Sequence, residues 1–589
     1  MREPQTPIGP RRHRRWPSVS WWFSLLLVVP LLLAAATVLY QTVLVDHQVT
    51  GVVLDAYTGS PVASATVEAG SRQLSSDADG RFRVEKGLPG VTVSKPGYQA
   101  AEAPLVAGPL QIRLRPNVVE GTVTNQATQQ PVKGVTVRLT GSGATVGETT
   151  TGADGRYALD DVPPGASLAV DSADFAPWSS EIDQRTRIDV ALRPDVLTGR
   201  ITDEKGAPVA GATVVVGQQR VVSGTGGTYR LEGAPASGEV VIKSPGYQVA
   251  TASLNPALKL DARLSSLHVN ALYAGAGTAG DAAKLDELIQ VIDTTEANAL
   301  VVDLKDSSGT VYYDTQVPLA REIGAVDPAF DPRQVVAKLH QHHIYAIARI
   351  VVFEDPILAE KRPELAIHDS ATGDLWRTWN GLAWVNAHKT DVWDYNIALA
   401  REAAAFGFDE IQFDYIRFPS DGPLDRADYG VPQTAQTREQ AITGFLQRAY
   451  DAIAPTKAYL AADVFGLTMW ATDDSDIGQN LEAVAPYLDY ICPMVYPSHF
   501  YAGSMGFDIP NDHPYEVVLW SLQAGEKRVP EDKNKLRPWL QDFSLGEGIS
   551  YGPGEVRKQI DAANDFGATG WMLWNAANVY HDTALKPQA

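Results

Sequence analysis

Short apolar strands alternate with amphipathic helices from residue 267 to the end of the chain, and this alternation limits the possible folds more than any other feature. The predicted strands are Leu267–Leu272, Ala299–Leu304, Tyr345–Val352, Glu410–Ile416, Ala458–Phe465, Tyr490–Tyr496, Arg537–Phe543 and Gly570–Trp574. Short buried strands separated by helices are typical of parallel sheets. Eight such units in about 320 residues predict a (β/α)8 TIM barrel over 267–589. A doubly wound open sheet is the alternative, but no Gly-x-Gly-x-x-Gly sequence follows the first strand.

A barrel places its chemistry at the carboxyl ends of its strands. Several strand ends carry polar side chains here: Asp303, Lys305, Arg349, Glu354, Asp414, Arg417, Asp463, Tyr496, His499, Gln541, Asp542, Trp574 and Asn575. One strand-end aspartate can simply cap the helix that follows. Acids on five of the eight predicted strands favour a functional rim.

Two aspartates on neighbouring predicted strands are the candidate catalytic pair. Asp414 ends the segment Phe408–Pro419 beside Tyr415 and Arg417, and we interpret it as a nucleophile or an electrostatic stabiliser. Asp463 is the candidate acid/base, because the apolar residues that follow it could raise its pKa. A retaining glycosidase holds its two carboxyls about 5–5.5 Å apart, and an inverting enzyme needs a wider gap.

Other rim residues fill supporting roles in this prediction. Glu354 and Asp542 are the reserve catalytic candidates. Tryptophans near the strand ends suit sugar rings, which have apolar faces and polar edges. The predicted substrate-binding residues are Asp303, Lys305, Arg417, Tyr415, Trp470, Tyr496, His499, Trp574 and Asn575.

The barrel region also carries sequence motifs in a specific order: Val301–Asp306, Trp384–His388, Phe408–Pro419 and Asp489–Ser498. In these motifs the chain resembles a glycoside-hydrolase-like family of (β/α)8 barrels that was first catalogued as a domain of unknown function. The resemblance covers nearly all of 267–580. It implies a barrel fold and hydrolysis of glycosidic bonds, whereas the catalytic pair above comes from the strand-end argument.

Three repeats precede the barrel, over residues 46–116, 117–194 and 195–266. They share Gly-x-Val, Pro-Val, Asp-Gly-Arg-Phe/Tyr and Pro-Gly-Tyr elements, with departures in the second and third copies. Alternating strands with Asp-Gly and Pro-Gly turns predict small β-sandwiches. The repeats resemble carboxypeptidase-regulatory-like, transthyretin-like domains, a resemblance that implies no peptidase activity. We expect either a stalk or carbohydrate-binding modules that would use Tyr98 and Tyr247.

The N-terminal residues predict a membrane anchor. Residues 1–19 form a basic tail with five arginines, and residues 20–45 are an uncharged apolar run long enough to cross a bilayer as a helix. The positive-inside rule then places the N-terminus in the cytoplasm and the body outside the cell, as a single-pass membrane protein. A cleaved signal peptide is the alternative, although its apolar core is usually shorter.

Charge and cysteine content exclude other classes of protein. The formal net charge is -21, and the tail alone contributes about +4, so the remaining chain carries about -25 and would repel nucleic acid. The single cysteine, Cys492, lies in an apolar stretch and predicts a buried thiol. His340, His342 and His343 end a predicted helix, where histidine suits the helix dipole. We therefore predict no metal site and no cofactor.

These observations lead to three hypotheses. The first is a membrane-anchored extracellular glycoside hydrolase that cleaves a polysaccharide with two carboxylates. The second is a non-catalytic polysaccharide- or cell-wall-binding protein built on the same barrel. The third is a wall-tethered scaffold in which the sandwiches do the work. The sequence leaves the sugar, the linkage and the oligomeric state open.

Overall fold

A computed structural model describes residues 22–40, 47–106 and 108–588. The chain forms two compact units, Met1–Arg193 and Pro194–Ala589. The first contains two sandwich repeats, and the second contains the third repeat together with the barrel. The multidomain prediction of three β-sandwiches and a barrel is confirmed.

Each of the first two repeats is a pair of packed sheets with an apolar core. In the first repeat the strands are Gln48–Asp55, Thr66–Ala69, Arg72–Ser75, Arg81–Glu85, Gly90–Ser94, Tyr98–Gln99, Ala101–Pro104 and Leu110–Pro116. In the second they are Val119–Asn125, Thr136–Gly141, Ala144–Thr150, Arg156–Leu159, Ser167–Ser172, Phe175–Glu181 and Val190–Leu192. Buried and exposed residues alternate along most of these strands, as expected when one sheet face covers a core.

The third repeat has the same plan. Its strands are Leu197–Thr202, Thr213–Val216, Gln219–Val222, Thr228–Leu231, Glu239–Lys243, Ala250–Ser253 and Ala262–Arg263. Of the two tyrosines predicted to contact glycan, Tyr98 hydrogen-bonds to Asp55 at 2.9 Å and Tyr247 packs against the core of the third repeat. Both tyrosines are half-buried.

In the described part of the second unit, eight parallel strands close into a barrel. They are β1 (Val269–Ala274), β2 (Ala299–Lys305), β3 (Tyr345–Val351), β4 (Glu410–Asp414), β5 (Tyr459–Phe465), β6 (Tyr490–Met494), β7 (Trp539–Gln541) and β8 (Gly570–Trp574). β2 is buried at every residue, because strands in a parallel barrel are covered on both faces.

Helices surround the barrel, and the longer ones bury apolar residues at helical spacing. Their bounds are Ala276–Ala279, Ala282–Thr294, Pro318–Glu322, Pro332–Gln341, Pro356–Lys361, Thr390–Phe406, Ala435–Ile453, Leu481–Val484, Pro514–Arg528 and Pro553–Phe566. In Ala282–Thr294 the buried face is formed by Leu285, Leu288, Ile289 and Ile292, and Asp281 caps the helix by accepting from two backbone N–H groups.

The third repeat covers the amino-terminal end of the barrel. Its turn Ser244–Tyr247 lies against two barrel tyrosines: the Ser244 N–H donates to the Tyr459 hydroxyl at 3.2 Å, and the Gly246 N–H donates to the Tyr490 hydroxyl at 3.0 Å. Gly246 has φ +82°, a conformation that most other residues avoid. Lys243, from the strand before the turn, donates to the Ala458 backbone oxygen at 2.7 Å. This contact leaves the carboxyl end of the strands uncovered by the third repeat.

The N-terminal prediction is only partly covered by the described residues. Trp22–Leu39 forms a helix that contains Pro30. In the described ranges we find no helix that combines the length and apolar character needed to cross a bilayer. The tail 1–19 and the flanks 20–21 and 41–46 lie outside the described residues.

Candidate active site

A pocket of about 650 Å³ opens at the carboxyl end of the barrel strands. Its size lies within the range of about 300–1,000 Å³ that is typical of ligand sites. The polar side of the lining, named for its chemistry, comes from β3, β4, β5 and the segments that follow: Arg349, Asp414, Tyr415, Arg417, Ser420, Asp463, Phe465, Ser475 and Ile477. The aromatic side, named in the same way, is mainly aromatic and apolar and contacts the polar side through Trp539 and Trp574: Leu467, Trp470, Met494, Tyr496, His499, Phe500, Tyr501, Met505, Trp539 and Trp574.

Asp414 is the last residue of β4 and lines the pocket. Its Oδ1 accepts the Tyr415 backbone N–H at 2.6 Å. Tyr415 has φ +52°, which is rare for a residue with a bulky side chain. Such strain is typical of functional sites. Here it turns the chain so that both Asp414 and Arg417 line the pocket.

Arg349 connects the acids at the pocket floor. Its Nη1 donates to Asp303 Oδ1 at 2.7 Å, and its Nη2 and Nε donate to Asp414 Oδ2 at 2.5 and 3.1 Å. The same Nε lies 3.9 Å from Asp463 Oδ2. One guanidinium therefore holds carboxylates from β2 and β4 and approaches a third from β5.

Asp463 is almost completely buried on β5 and borders the pocket. Burial holds the pKa of its carboxyl well above the usual range, and repulsion from Asp414 raises that pKa further. Arg349 and a hydrogen bond from the Trp539 indole, at 2.7 Å, act in the opposite direction. The two aspartates thus differ in environment, as an acid and its partner must.

Arg417 lies among three aromatic rings. Its guanidinium carbon is 4.9, 5.0 and 4.8 Å from the ring centroids of Trp384, Tyr415 and Phe465. Such contacts favour a cation. Arg417 thus places a positive charge on the polar side of the pocket, beside Asp414.

The aromatic side provides surfaces for a ring-shaped ligand. Trp574 stacks on Tyr273 at 4.1 Å, and Trp470 contacts Phe500 at 5.1 Å. Burial, followed by the charges of Asp463 and Asp414, raises the pKa of Tyr496 well above its usual value, so its hydroxyl is a neutral donor near both acids. His499 stands at the rim beside Tyr496, with ring centroids 5.2 Å apart.

Several predicted site residues lie outside the pocket lining. Glu354 is buried near Arg417, and burial raises its pKa to about 7. Asp303 lies behind Arg349 and accepts the Tyr273 hydroxyl at 2.5 Å. Asp542 contacts His581, at 2.5 Å from Oδ1 to Nδ1. Asn575 donates to the Asp542 and Val579 backbone oxygens and braces the loop after β8.

Lys305 also lies outside the pocket. The pairing of β2 with β3 shifts register between Asp303 and Lys305, so the usual alternation of faces is broken there. Lys305 is instead fully buried in the layer between strands and helices, where it forms an ion pair with Asp355 at 2.8 Å and lies 3.3 Å from Asn396 Oδ1.

Three residues of the site received no role in the sequence prediction. Arg349 was recognised as a strand-end residue, but its bridging position depends on pairing between strands. Tyr273 lies beyond the predicted end of the first strand. Trp539 is the first residue of β7 and, in sequence alone, cannot be distinguished from a core tryptophan.

Solved structures with resemblance to this chain include a hypothetical protein from Ruminiclostridium thermocellum ATCC 27405, with 37% identity, a TM-score of 0.30 and coverage of 33% of this chain and 97% of that chain. The PgaB (BpsB) glycoside hydrolase domain from Bordetella bronchiseptica has 12% identity and a TM-score of 0.41, covering 53% of this chain and 95% of that chain. A chitinase from Chromobacterium violaceum ATCC 12472 has 15% identity and a TM-score of 0.34, covering 54% and 97%. No curated protein matches the sequence.

Family models match both parts of the chain. The model described as "Putative glycosyl hydrolase domain" matches residues 271–580, which span the barrel. The model described as "Carboxypeptidase regulatory-like domain" matches residues 48–114, 118–193 and 196–265, one match for each sandwich.

Proposed function

The chain belongs to the family described as "Putative glycosyl hydrolase domain", and from this membership we propose that its barrel hydrolyses a glycosidic bond of a polysaccharide with two carboxylates. One observation carries the proposal. Asp414 and Asp463 stand on adjacent strands, line the same pocket and approach the same guanidinium of Arg349.

Asp463 is the general acid in this proposal. Burial raises the pKa of its carboxyl well above the usual range, so Asp463 holds its proton to a higher pH than an exposed aspartate. The proton passes to the glycosidic oxygen as the bond from that oxygen to the anomeric carbon breaks. Burial on the wall of the pocket is what makes Asp463 suited to the role.

Asp414 is the second catalytic carboxylate in this proposal and assists attack on the anomeric carbon. In a retaining reaction its carboxylate bonds to that carbon, and water later breaks this bond while Asp463 takes up the proton of the water. In an inverting reaction Asp414 removes a proton from a water molecule that attacks directly. Arg349 and the Tyr415 N–H orient the carboxylate in both cases.

The lining supports a sugar as the ligand. Trp470 and Trp574 offer aromatic surface in the same lining as the acids, and Tyr496 adds a hydroxyl donor. Sugar rings need both kinds of contact. We infer that the ring next to the scissile bond contacts both the acids and the aromatic residues of the pocket.

The test is a glycan panel assayed for new reducing ends with the full chain. The wild type should cleave at least one glycan, and Asp414→Asn and Asp463→Asn should each lose about 100-fold or more of that rate. Asp286→Asn is the matched control, because Asp286 lies on an outer helix and pairs with Lys338. Proton NMR of the first product anomer separates retention from inversion.

If the wild type cleaves no glycan but binds one, the proposal fails in favour of a non-catalytic polysaccharide-binding barrel. Binding that survives in Asp414→Asn without cleavage supports catalysis by Asp414.

We also propose that residues 20–45 anchor the protein in the cell membrane, with the body outside. The support is in the sequence, where a cluster of arginines precedes an uncharged apolar run. Membrane fractionation of cells that express the full chain or a chain without residues 1–45 tests the anchor, and added protease tests the side. Recovery of the full chain in the soluble fraction would contradict it.

A further inference from the structure

Arg417 carries a buried charge that has no ion-pair partner. Only 9% of its surface is exposed. Its Nη1 donates to the Phe418 backbone oxygen at 3.0 Å and to the Ser420 hydroxyl at 3.3 Å. Within the described ranges of the chain, no Asp or Glu oxygen lies within 4.0 Å of its guanidinium. An uncompensated buried charge is costly and needs an explanation.

The other buried arginines of the barrel interior are compensated. Arg349 binds Asp303 and Asp414. Arg537 forms an ion pair with Glu410, at the opposite end of the barrel. Arg417 differs from both arginines, because it lines the pocket near Asp414 but forms no ion pair with a carboxylate.

The acids nearest to Arg417 do not supply this partner. Glu354, Asp414 and Asp421 act on it only at longer range. Arg349 already binds Asp414, and Asp421 is exposed to solvent. Glu354 has a pKa of about 7 because of its burial, so at neutral pH it is uncharged in a large fraction of molecules. The guanidinium itself stays protonated.

A second unpartnered group lines the same pocket. The Ser475 hydroxyl is buried and has no hydrogen-bond partner within the described part of the chain. Its segment is tied to that of Arg417, since the Phe418 N–H donates to the Ile477 backbone oxygen at 2.9 Å. A cation and an unpartnered hydroxyl in the lining of one pocket offer two donors to an anionic oxygen ligand.

We propose that Arg417 and Ser475 bind an anionic substituent of the sugar next to the scissile bond, so that the substrate is an acidic polysaccharide. The substituent is a uronic acid carboxylate or a sulfate ester, which share acceptor oxygens that match a guanidinium. This inference rests on the proposed function, because it takes the pocket to be the glycan site.

The overall charge of the protein makes a local cation necessary for such a ligand. The chain carries a formal net charge of -21 and would repel an acidic polymer at long range. Salt screens that repulsion over about 8–10 Å, whereas a contact inside the pocket is screened much less. Selection of an acidic sugar therefore depends on the contact with Arg417.

The experiment compares three sugars on the full chain by saturation-transfer NMR titration: D-glucuronate, D-glucose 6-sulfate and D-glucose. The variants are Arg417→Gln, which removes the positive charge, and Arg417→Lys, which keeps the charge but lacks the planar set of guanidinium N–H donors. Arg448→Gln is the matched control, because Arg448 is half-exposed on an outer helix and pairs with Asp394. Circular dichroism establishes that each variant is folded.

The wild type should bind at least one anionic sugar more tightly than glucose. Arg417→Gln should lose about 10-fold or more of that affinity, with little change for glucose. Arg417→Lys should keep part of the preference, and Arg448→Gln all of it. The glucuronate and sulfate arms show which substituent is recognised.

Equal or weaker binding of both anionic sugars by the wild type, or an equal loss for all three sugars in Arg417→Gln, overturns the inference. Two outcomes distinguish a failure of this inference from a failure of the proposed hydrolase function. Cleavage of a neutral glycan at unchanged rate in Arg417→Gln would keep the hydrolase and reject the acidic substrate. Anion binding that depends on Arg417, without cleavage of any glycan, would keep the acidic ligand and reject catalysis.

Discussion

The indole of Trp539 donates a 2.7 Å hydrogen bond to Oδ1 of Asp463 inside the barrel. Trp539 begins β7, and Asp463 lies near the end of β5, two strands away along the wall. The bond favours the ionised carboxylate and so opposes the effects of burial and of Asp414 on the pKa. Trp539 is therefore a positioning residue that also tunes the proposed acid.

Replacing Trp539 with Phe removes that bond and should raise the pKa of Asp463. An acid catalyst loses activity as the pH rises through its pKa, so the alkaline decline of kcat/KM should move to higher pH in Trp539→Phe. The measurement is a pH profile on a cleaved glycan. Trp571→Phe is the matched control, because Trp571 is buried in the layer outside the strands with an unpaired indole N–H. An unchanged alkaline limb in Trp539→Phe would remove Asp463 from the role of acid.

Patterns that depend on neighbouring residues were predictable from the sequence. The eight predicted strands overlap the observed strands, because apolar runs and helical stripes report local structure. Asp414 and Asp463 both line the pocket for the same reason, since alternation along a strand decides which side chains point inward.

Features that depend on pairing between strands were not predictable. Lys305 would point inward by simple alternation, but the irregular pairing after Asp303 turns it into the outer layer. Asp542 contacts His581, which lies 39 positions along the chain, and no local pattern connects the two. The bridge from Arg349 to Asp414 likewise requires β3 and β4 to be adjacent.

Arg349→Met should destabilise the barrel strongly at pH 7. It leaves Asp303 and Asp414 buried without their cation, and breaking a buried pair costs about 3–5 kcal/mol. Burial raises the pKa of Asp303 and Arg349 opposes this effect, so without Arg349 the folded variant holds a proton on Asp303 that the unfolded chain releases, and its stability falls as the pH rises. Urea unfolding followed by circular dichroism should show a larger loss at pH 7 than at pH 4. The same loss at both values would mean that packing of the side chain, and not its charge, is responsible.

Lys305→Met separates a structural role of this lysine from the predicted role in substrate binding. The ion pair with Asp355 is fully buried, so the variant should lose about 3–5 kcal/mol of unfolding free energy. At a temperature where the variant remains folded, kcat/KM should stay within about twofold of the wild type, because Lys305 lies outside the pocket and its loss should leave binding of the transition state unchanged. Lys338→Met, which breaks the more exposed pair with Asp286, should cost less than about 1 kcal/mol. A normal stability with a large loss of kcat/KM would restore Lys305 to the substrate site.

The third sandwich should be required for a stable barrel, although its sequence resembles the two repeats before it. Lys243 and the turn Ser244–Tyr247 supply hydrogen-bond partners to Ala458, Tyr459 and Tyr490 at the base of the barrel. Removing the repeat would expose these groups and the apolar residues around them. Two ion pairs between the third repeat and the barrel are largely exposed to solvent: Arg220 with Asp451, and Lys457 with Glu239. Such pairs contribute little by themselves, so the buried contacts at the turn carry the effect.

Fragments 194–589 and 267–589 test this requirement. The longer fragment contains the whole second unit and should unfold at the same temperature as the barrel in the full chain. The shorter one should unfold at a lower temperature and be cleaved faster by a protease, because its base is uncovered. Tyr459→Phe together with Tyr490→Phe in the longer fragment removes only the hydroxyl contacts and should give a smaller shift in the same direction. Equal thermal midpoints for the two fragments would show that the barrel folds independently and that the third repeat is a detachable module.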